Sequence, residues 1–343
     1  MYDVIVVGAG PAGSTTAKTL AERGCRVLLL DRFKMPRYKS CSGQLIHKTM
    51  DLVERYYGEP VPRSAMCTPT ENRGVILTDD RGNTYRFQQQ GCNVWRSAFD
   101  QWLASKAAEA GAMIREETVA IACEEREETV FVTLKSGGRV YAEQARYVVD
   151  GEGVMGALKR KLTGKAPEYI ATFQTYNQGR ADLDDHFFYA WLQPELSQYD
   201  AWFNVKDGYL VLGVSVRDSG RINEFYDRFI AYMQGNHGLQ IDRRLKEDRW
   251  LLHRVRPSCA IDYGVGRVLF VGETAGFLNP MGEGISSAIE SGYQAAAAIL
   301  DRFDDPKRVL TAYQRSIEPL RDYMKRQWHL VSGMSGAFQE MKL

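Results

Sequence analysis

The stretch that decides the fold is Met1-Tyr2-Asp3-Val4-Ile5-Val6-Val7-Gly8-Ala9-Gly10-Pro11-Ala12-Gly13, followed by the apolar run Val27-Leu28-Leu29-Leu30 and then Asp31. Met1 to Val7 reads as a short apolar strand, Ser14 to Gly24 as a helix, and Val27 to Leu30 as a second strand. Together they make a βαβ unit of about thirty residues with G-x-G-x-x-G where strand meets helix. Gly8 allows the tight turn, Gly10 lets backbone N–H groups approach a pyrophosphate, and Gly13 lets helix and strand pack closely. The helix N-terminus adds partial positive charge facing the phosphates. Asp31 stands where it can accept hydrogen bonds from a ribose diol. A bare G-x-G-x-x-G would arise by accident in a chain with 31 glycines. The two flanking strands and the acidic terminus make it a dinucleotide site.

Length and composition set the outer bounds. A chain of 343 residues suggests two domains, one inserted in the other. An apolar fraction of 44% and a charged fraction of 25% are ordinary for a globular protein. The net charge of +1, with no basic run interleaved with aromatics, argues against nucleic acid as a partner. The chain begins on its first strand, leaving no room for a secretory signal, and no apolar stretch reaches the length of a membrane span. The six cysteines lack C-x-x-C spacing and the five histidines form no cluster, so a metal is not expected. The expected location is the cytoplasm. The aromatic clusters at 186–209 suggest a site for a bulky apolar ligand.

A second literal match, Gly151-Glu152-Gly153-Val154-Met155-Gly156, follows the apolar run Tyr147-Val148-Val149. No strand ending in an acidic residue follows it about twenty residues on, so it does not read as a second nucleotide unit. The better reading is a strand ending at Asp150-Gly151 beside the first site. Arg267 to Glu273 is a third buried strand with an acidic end. Gly282 and Gly284 then precede a small-residue helix from Ser286 to Leu300, with N–H groups able to face an electron-rich ring.

In this order the residues resemble the FAD-dependent proteins of the p-hydroxybenzoate-hydroxylase fold, and within them the geranylgeranyl reductase family. The carrying blocks are the N-terminal turn, Arg96 in Trp95-Arg96-Ser97-Ala98-Phe99-Asp100, Asp150-Gly151, and Gly272 to Ile285. Lys39-Ser40-Cys41-Ser42-Gly43 looks like the family's K-x-C-G-G element, whose cysteine lies beside the isoalloxazine ring. The layout is similar to bacterial CbrA-type members, which share a segment matching Trp202 to Tyr209. The resemblance implies FAD contacts at Gly8, Gly10, Ala12, Gly13, Asp31, Arg32, Cys41, Ser42, Gly43, Arg96, Ala120, Asp150, Gly151, Gly272, Glu273, Gly282, Gly284 and Ile285. It departs at Gly272-Glu273, where the family has Gly-Asp, and at Trp202 to Lys206, where a Phe-Pro pair is missing. Glu273 is still an acceptor able to bind a ribityl hydroxyl.

The implied fold class is α/β: a Rossmann-like FAD-binding domain from 1–60, 92–165 and 252–300, with an inserted, mainly antiparallel-sheet substrate domain from 61–91 and 166–251. A helical segment covers 301–343. Strands are expected near 73–78, 84–88, 170–177, 186–193, 199–205 and 208–216, an exposed strand at Thr129 to Leu134, and a covering helix from Ile222 to Met233.

The implied function is an FAD-dependent oxidoreductase that reduces C=C bonds of an isoprenoid or similar apolar or lipid substrate, with NAD(P)H or a reduced protein carrier as electron donor. Cys41 is the catalytic candidate, in a basic loop with Arg37 and Lys39. Trp202, Lys206 and Tyr209 are the substrate candidates, against the plainer reading of sheet packing and a solvated turn. A flavin monooxygenase acting on an aromatic or polyketide ring, and a flavin-bearing binding or electron-carrier protein, stand as alternatives. On the last helix, Arg321, Lys325 and Arg326 lie near Tyr323, Met324, Trp328 and Leu330, which suggests a peripheral membrane contact beside the plainer reading of a packed helix.

Overall fold

The computed structural model describes residues 1–339. Strand Tyr2–Val7 lies between Val27–Leu30 and Arg139–Asp150, parallel to both. Val268–Phe270 continues the sheet beyond Arg139–Asp150, and Met113–Arg115 beyond Val27–Leu30, both again in parallel. Val4 to Val7, Val27–Leu30, Tyr147 to Val149 and Val268–Phe270 are buried on both faces and read as short apolar runs, as parallel strands do. Helix Pro11–Ala21 leaves the first strand and is buried along its whole length. It packs closely enough that a Cβ on Gly13 would stand 1.9 Å from the Gly8 carbonyl oxygen. Gly151-Glu152-Gly153 is the loop after Arg139–Asp150 and leads into the short helix Ala157–Thr163, so it forms no second nucleotide unit.

Thr118–Arg126 and Thr129–Ser136 form an antiparallel ribbon on the same sheet. The second of these was expected to be exposed. In fact Val130, Val132 and Leu134 are fully buried, because the alternating pattern presents one apolar face to the core.

A second sheet of eight strands runs in the order Gln240–His253, Tyr169–Arg180, Tyr209–Val216, Ala201–Lys206, Phe187–Trp191, Met66–Thr78, Thr84–Val94 and Gln44–Leu45. Gln44–Leu45 and the end of Thr84–Val94 therefore belong to the second sheet, although the sequence groups them with the first. Helix Ile222–Asn236 covers one face, packing Phe225, Tyr226 and Phe229 with Phe203, Leu212 and Val214. Alternation turns Trp202, Asn204 and Lys206 to the opposite face. The Trp202 indole lies flat on Gly213, its cross-strand partner, where an added Cβ would meet Cζ2 at 2.1 Å. The edge strand Gln240–His253 has no counterpart in the sequence reading. Its Gln240-to-Arg249 half is largely exposed and charged and lacks the alternation that marks a strand.

Helix Pro306–Met334 buries Val309, Tyr313, Ile317, Leu320, Met324, Trp328 and Val331, a single stripe at three- and four-residue spacing. This corrects the expected membrane-facing surface. Trp328 is only 2% exposed and packs on Phe338, with ring centroids 5.8 Å apart, and Met324 is fully buried. Leu330 faces outward, while Arg321 and Lys325 pair with Glu318 and Asp322 along the helix. The basic residues and Trp328 thus lie on different faces. Among the described residues no helix is long and apolar enough to cross a membrane. Trp328→Ala is expected to lower the unfolding free energy by about 3–5 kcal/mol, read by denaturant titration, through loss of a buried indole and the cavity it leaves.

Candidate active site

The loops at the carboxyl ends of the parallel strands open into one cavity of about 530 Å³, which continues under the second sheet. Its walls bring together Gly8, Gly10, Ala12, Asp31, Arg32, Cys41, Ser42, Arg96, Ala120, Gly151, Gly272, Glu273, Gly282, Gly284 and Ile285, residues spread over most of the chain. Gly13 and Gly43 stand behind the wall as packing positions. Asp150 also lies behind it, fully buried at a strand end, where Oδ1 accepts the Glu152 N–H at 3.1 Å. Burial and the neighbouring Glu152 carboxylate push the Asp150 carboxyl well above the usual range. It therefore shapes the turn.

The first turn fits a dinucleotide phosphate. Helix Pro11–Ala21 has no side-chain cap and no acidic residue in its first turn, so its N–H groups stay available to a ligand. At Gly10 an added Cβ would meet only the Arg37 guanidinium, at 3.5 Å. The space above Gly10 is thus cavity.

Asp31 was expected to face a ribose. It is 4% exposed and already accepts hydrogen bonds from the Ala9 N–H (3.1 Å), the Phe33 N–H (2.9 Å) and Arg37 Nε (3.1 Å). Arg37 Nη1 goes on to donate to Asp100 Oδ2 at 2.9 Å, and Asp100 also receives Arg96 Nε (2.8 Å) and Nη2 (2.9 Å). The buried chain Asp31–Arg37–Asp100–Arg96 thus crosses beneath the loop that carries Lys39 and Cys41. Burial would raise the Asp100 carboxyl, but the two guanidinium groups outweigh it and hold it low. The sequence noted Arg37 only as a flanking charge; its partners are Asp31, six residues before it, and Asp100, in a helix more than sixty residues further on.

Cys41 is half-buried, and its Sγ accepts the Gly43 N–H at 3.3 Å. Burial alone would raise its thiol. The charges of Arg96 and Lys39, the Gly43 N–H and the Lys206 ammonium outweigh burial and hold it below the ordinary thiol range. Lys206 does not line the cavity as expected. It is 1% exposed behind the Cys41 loop, over the Trp95 ring at 4.2 Å, and burial pushes its ammonium down. Gly43 has φ +72°, and an added Cβ would lie 2.4 Å from Lys206 Nζ. The glycine of the Lys-x-Cys-x-Gly element is thus where the lysine presses against the loop. Asp207 fixes the corner by accepting from Trp95 Nε1 and the Thr68 N–H, both at 2.7 Å.

Trp202 lines the cavity, whereas Tyr209 pairs with Lys206 at the hairpin end and lies outside the lining. Glu273 lines it too, and its Oε1 accepts the His253 N–H at 2.8 Å, joining the first sheet's loop to the second sheet's edge strand. Phe188, Tyr199, Asp200, Trp250 and Trp328 also line it. Tyr199 and Asp200 lie in the aromatic cluster flagged in the sequence, but nothing in their local pattern marks them as facing a ligand.

The model of the FAD binding domain family matches residues 1–320. The chain belongs to this family. It is an FAD-dependent oxidoreductase. A digeranylgeranylglycerophospholipid reductase of Methanosarcina acetivorans is 25% identical over 97% of this chain and 82% of its own length. Protein FixC of Bradyrhizobium diazoefficiens is 34% identical over half of this chain and 41% of its own length. Among solved structures, a geranylgeranyl bacteriochlorophyll reductase-like protein of Thermoplasma acidophilum superimposes with a TM-score of 0.84 at 19% identity, covering 99% of this chain and 89% of that one. The flavin-dependent halogenase CmlS reaches 0.76 at 20% identity, over 99% of this chain and 67% of its own. These likenesses are of fold.

Gly10→Val is expected to fold, as judged by circular dichroism, but to purify without flavin absorbance, because its side chain fills ligand space alone. Alkylation of Cys41 by iodoacetamide should reach half its maximal rate at a pH below the ordinary thiol value of about 8.5. Since a cation favours the thiolate, Lys206→Met should shift that midpoint upward, and an unchanged midpoint would show that Lys206 does not act on Cys41.

Proposed function

We propose that this flavoprotein reduces a C=C bond of an isoprenoid or similarly apolar substrate held under the second sheet. The observation that carries this reading is the continuity of the cavity, which runs from the Gly10 turn past Cys41 to a wall of Trp202, Trp250, Trp328, Phe188 and Tyr199. Large aromatic walls suit a bulky apolar ligand and exclude water from the reacting end. The names of the relatives support the substrate class.

FAD would be held by the cavity-lining residues from Gly8 to Asp31, Arg96 and Gly272 to Ile285, and when reduced it supplies a hydride. NAD(P)H or a reduced protein carrier would supply the electrons. The chain's own work is positioning and proton supply. Trp202, lying flat on Gly213, forms part of the floor on which the substrate rests. Cys41 lines the cavity too, its Sγ ordering the loop by accepting the Gly43 N–H, and its thiol, held below the ordinary range, is one candidate acid. Lys39 also lines the cavity, 5.6 Å from the Trp250 ring. Burial lowers its ammonium despite the nearby Glu273 carboxylate, which suits Lys39 Nζ to supply a proton to the second carbon.

The test is anaerobic. Holoprotein reduced with dithionite and mixed with geranylgeraniol should return to the oxidised flavin spectrum and yield a product two mass units heavier per bond reduced. Lys39→Met should slow this step at least about tenfold, within the range for loss of a general acid. Flavin that stays reduced until oxygen enters, with a product sixteen mass units heavier, would instead establish a monooxygenase.

A further inference from the structure

The cavity extends past the flavin-facing residues to an end that is polar as well as aromatic. On the second sheet, Thr172 stands opposite both Ser215 and Trp250, and Trp202 stands opposite Gly213. Asp200 enters the strand beside Ser215, and both line the cavity together with Tyr199, Trp202, Trp328 and Phe338. The Ser215 hydroxyl donates to Asp200 Oδ1, and the Asp200 N–H approaches Ser215 Oγ at 3.3 Å. Among the described residues no lysine, arginine or histidine pairs with Asp200, and Oδ2 receives no protein donor. Burial raises its carboxyl to about 6, the Ser215 hydrogen bond working the other way. A carboxylate in an aromatic pocket without a cation is costly unless something completes its hydrogen bonding. The mechanism proposed above makes no use of it.

Asn204, four residues along the same strand and on the same face, donates to the Ser42 carbonyl oxygen at 3.4 Å, beside Cys41. That spacing sets Asp200 about 13 Å from the Cys41 loop. We propose that this end of the cavity recognises a hydrogen-bond donor, an alcohol O–H or an ammonium N–H, on the end of the substrate remote from the bond reduced, with Asp200 as its acceptor. The inference rests on the reading of the cavity as a substrate site and adds a polar requirement to it. It makes Asp200 a specificity-determining residue, with Ser215 holding the carboxylate in place.

The experiment compares geranylgeraniol, geranylgeranylamine and geranylgeranyl methyl ether on the FAD-loaded full chain, with binding read from quenching of tryptophan fluorescence. At least one of the two donors should bind about tenfold tighter than the ether, the equivalent of one hydrogen bond to a charged acceptor. Asp200→Leu should abolish that preference while leaving ether binding unchanged. Asp200→Asn distinguishes the two donors, since its carbonyl still accepts from an alcohol but no longer neutralises an ammonium. If Asp200→Leu fails to fold, the parent and Asp200→Asn still decide the matter. Equal binding of alcohol, amine and ether by the parent, or a preference that survives Asp200→Leu, would overturn this inference and leave the apolar cavity standing. If none of the three binds, the isoprenoid reading falls and this inference with it.

Discussion

The site hangs on four buried charges in a row. Asp31 ends the second strand, Arg37 lies in the loop that follows, and Asp100 and Arg96 stand one turn apart on helix Arg96–Glu109. Each is largely withdrawn from water, and each carboxylate meets at least one guanidinium. Removing one member of such a set leaves an uncompensated buried charge, at a cost of about 3–5 kcal/mol. The arrangement therefore fixes the path of the loop from Arg32 to Gly43 far more firmly than loop sequence would. Because that loop carries Lys39 and Cys41 to the cavity, the electrostatics of that part of its wall follow from it. Arg96 both closes the row and draws Cys41 toward its thiolate.

A second constraint is the seam between the sheets. The parallel sheet supplies the nucleotide end in the usual way, at the carboxyl ends of its strands. The antiparallel sheet supplies the floor and far wall. Three contacts hold the two in register: Glu273 accepting from the His253 N–H, Asn204 donating to Ser42, and the Trp328 stripe of the last helix closing the back. Apolar burial against the second sheet explains why a helix with so many basic residues keeps its tryptophan inside.

The extent to which the site was legible differs with the range of the contacts that make it. The first turn, Arg96, Glu273 and the glycines before Ile285 are local patterns: a strand end, a turn, a helix start. All but the packing glycines and Asp150 reach the cavity wall. The side chains misassigned from sequence are those whose role depends on a distant partner. Lys206 reads as a substrate contact or a solvated hairpin lysine, yet the Cys41 loop and Trp95 cover it. Trp328 reads either as an interfacial aromatic or as part of a packed helix, and its helical stripe meets Phe338 and the second sheet.

By itself the sequence determined the βαβ nucleotide unit, the FAD-binding family and most of the elements other than the edge strand Gln240–His253, because these depend on periodicities and turn chemistry only a few residues long. It also carried the alternation that splits Trp202, Asn204 and Lys206 from Phe203 and Val205. Only the tertiary structure decided which of the two faces meets helix Ile222–Asn236 and which meets the cavity. It alone joined Arg37 to Asp100 and gave Asp200 a hydroxyl and, among the described residues, no cation. Those outcomes depend on charges and surfaces brought together from far apart in the chain, and burial, which sets their energies, exists only once the two sheets have closed on each other.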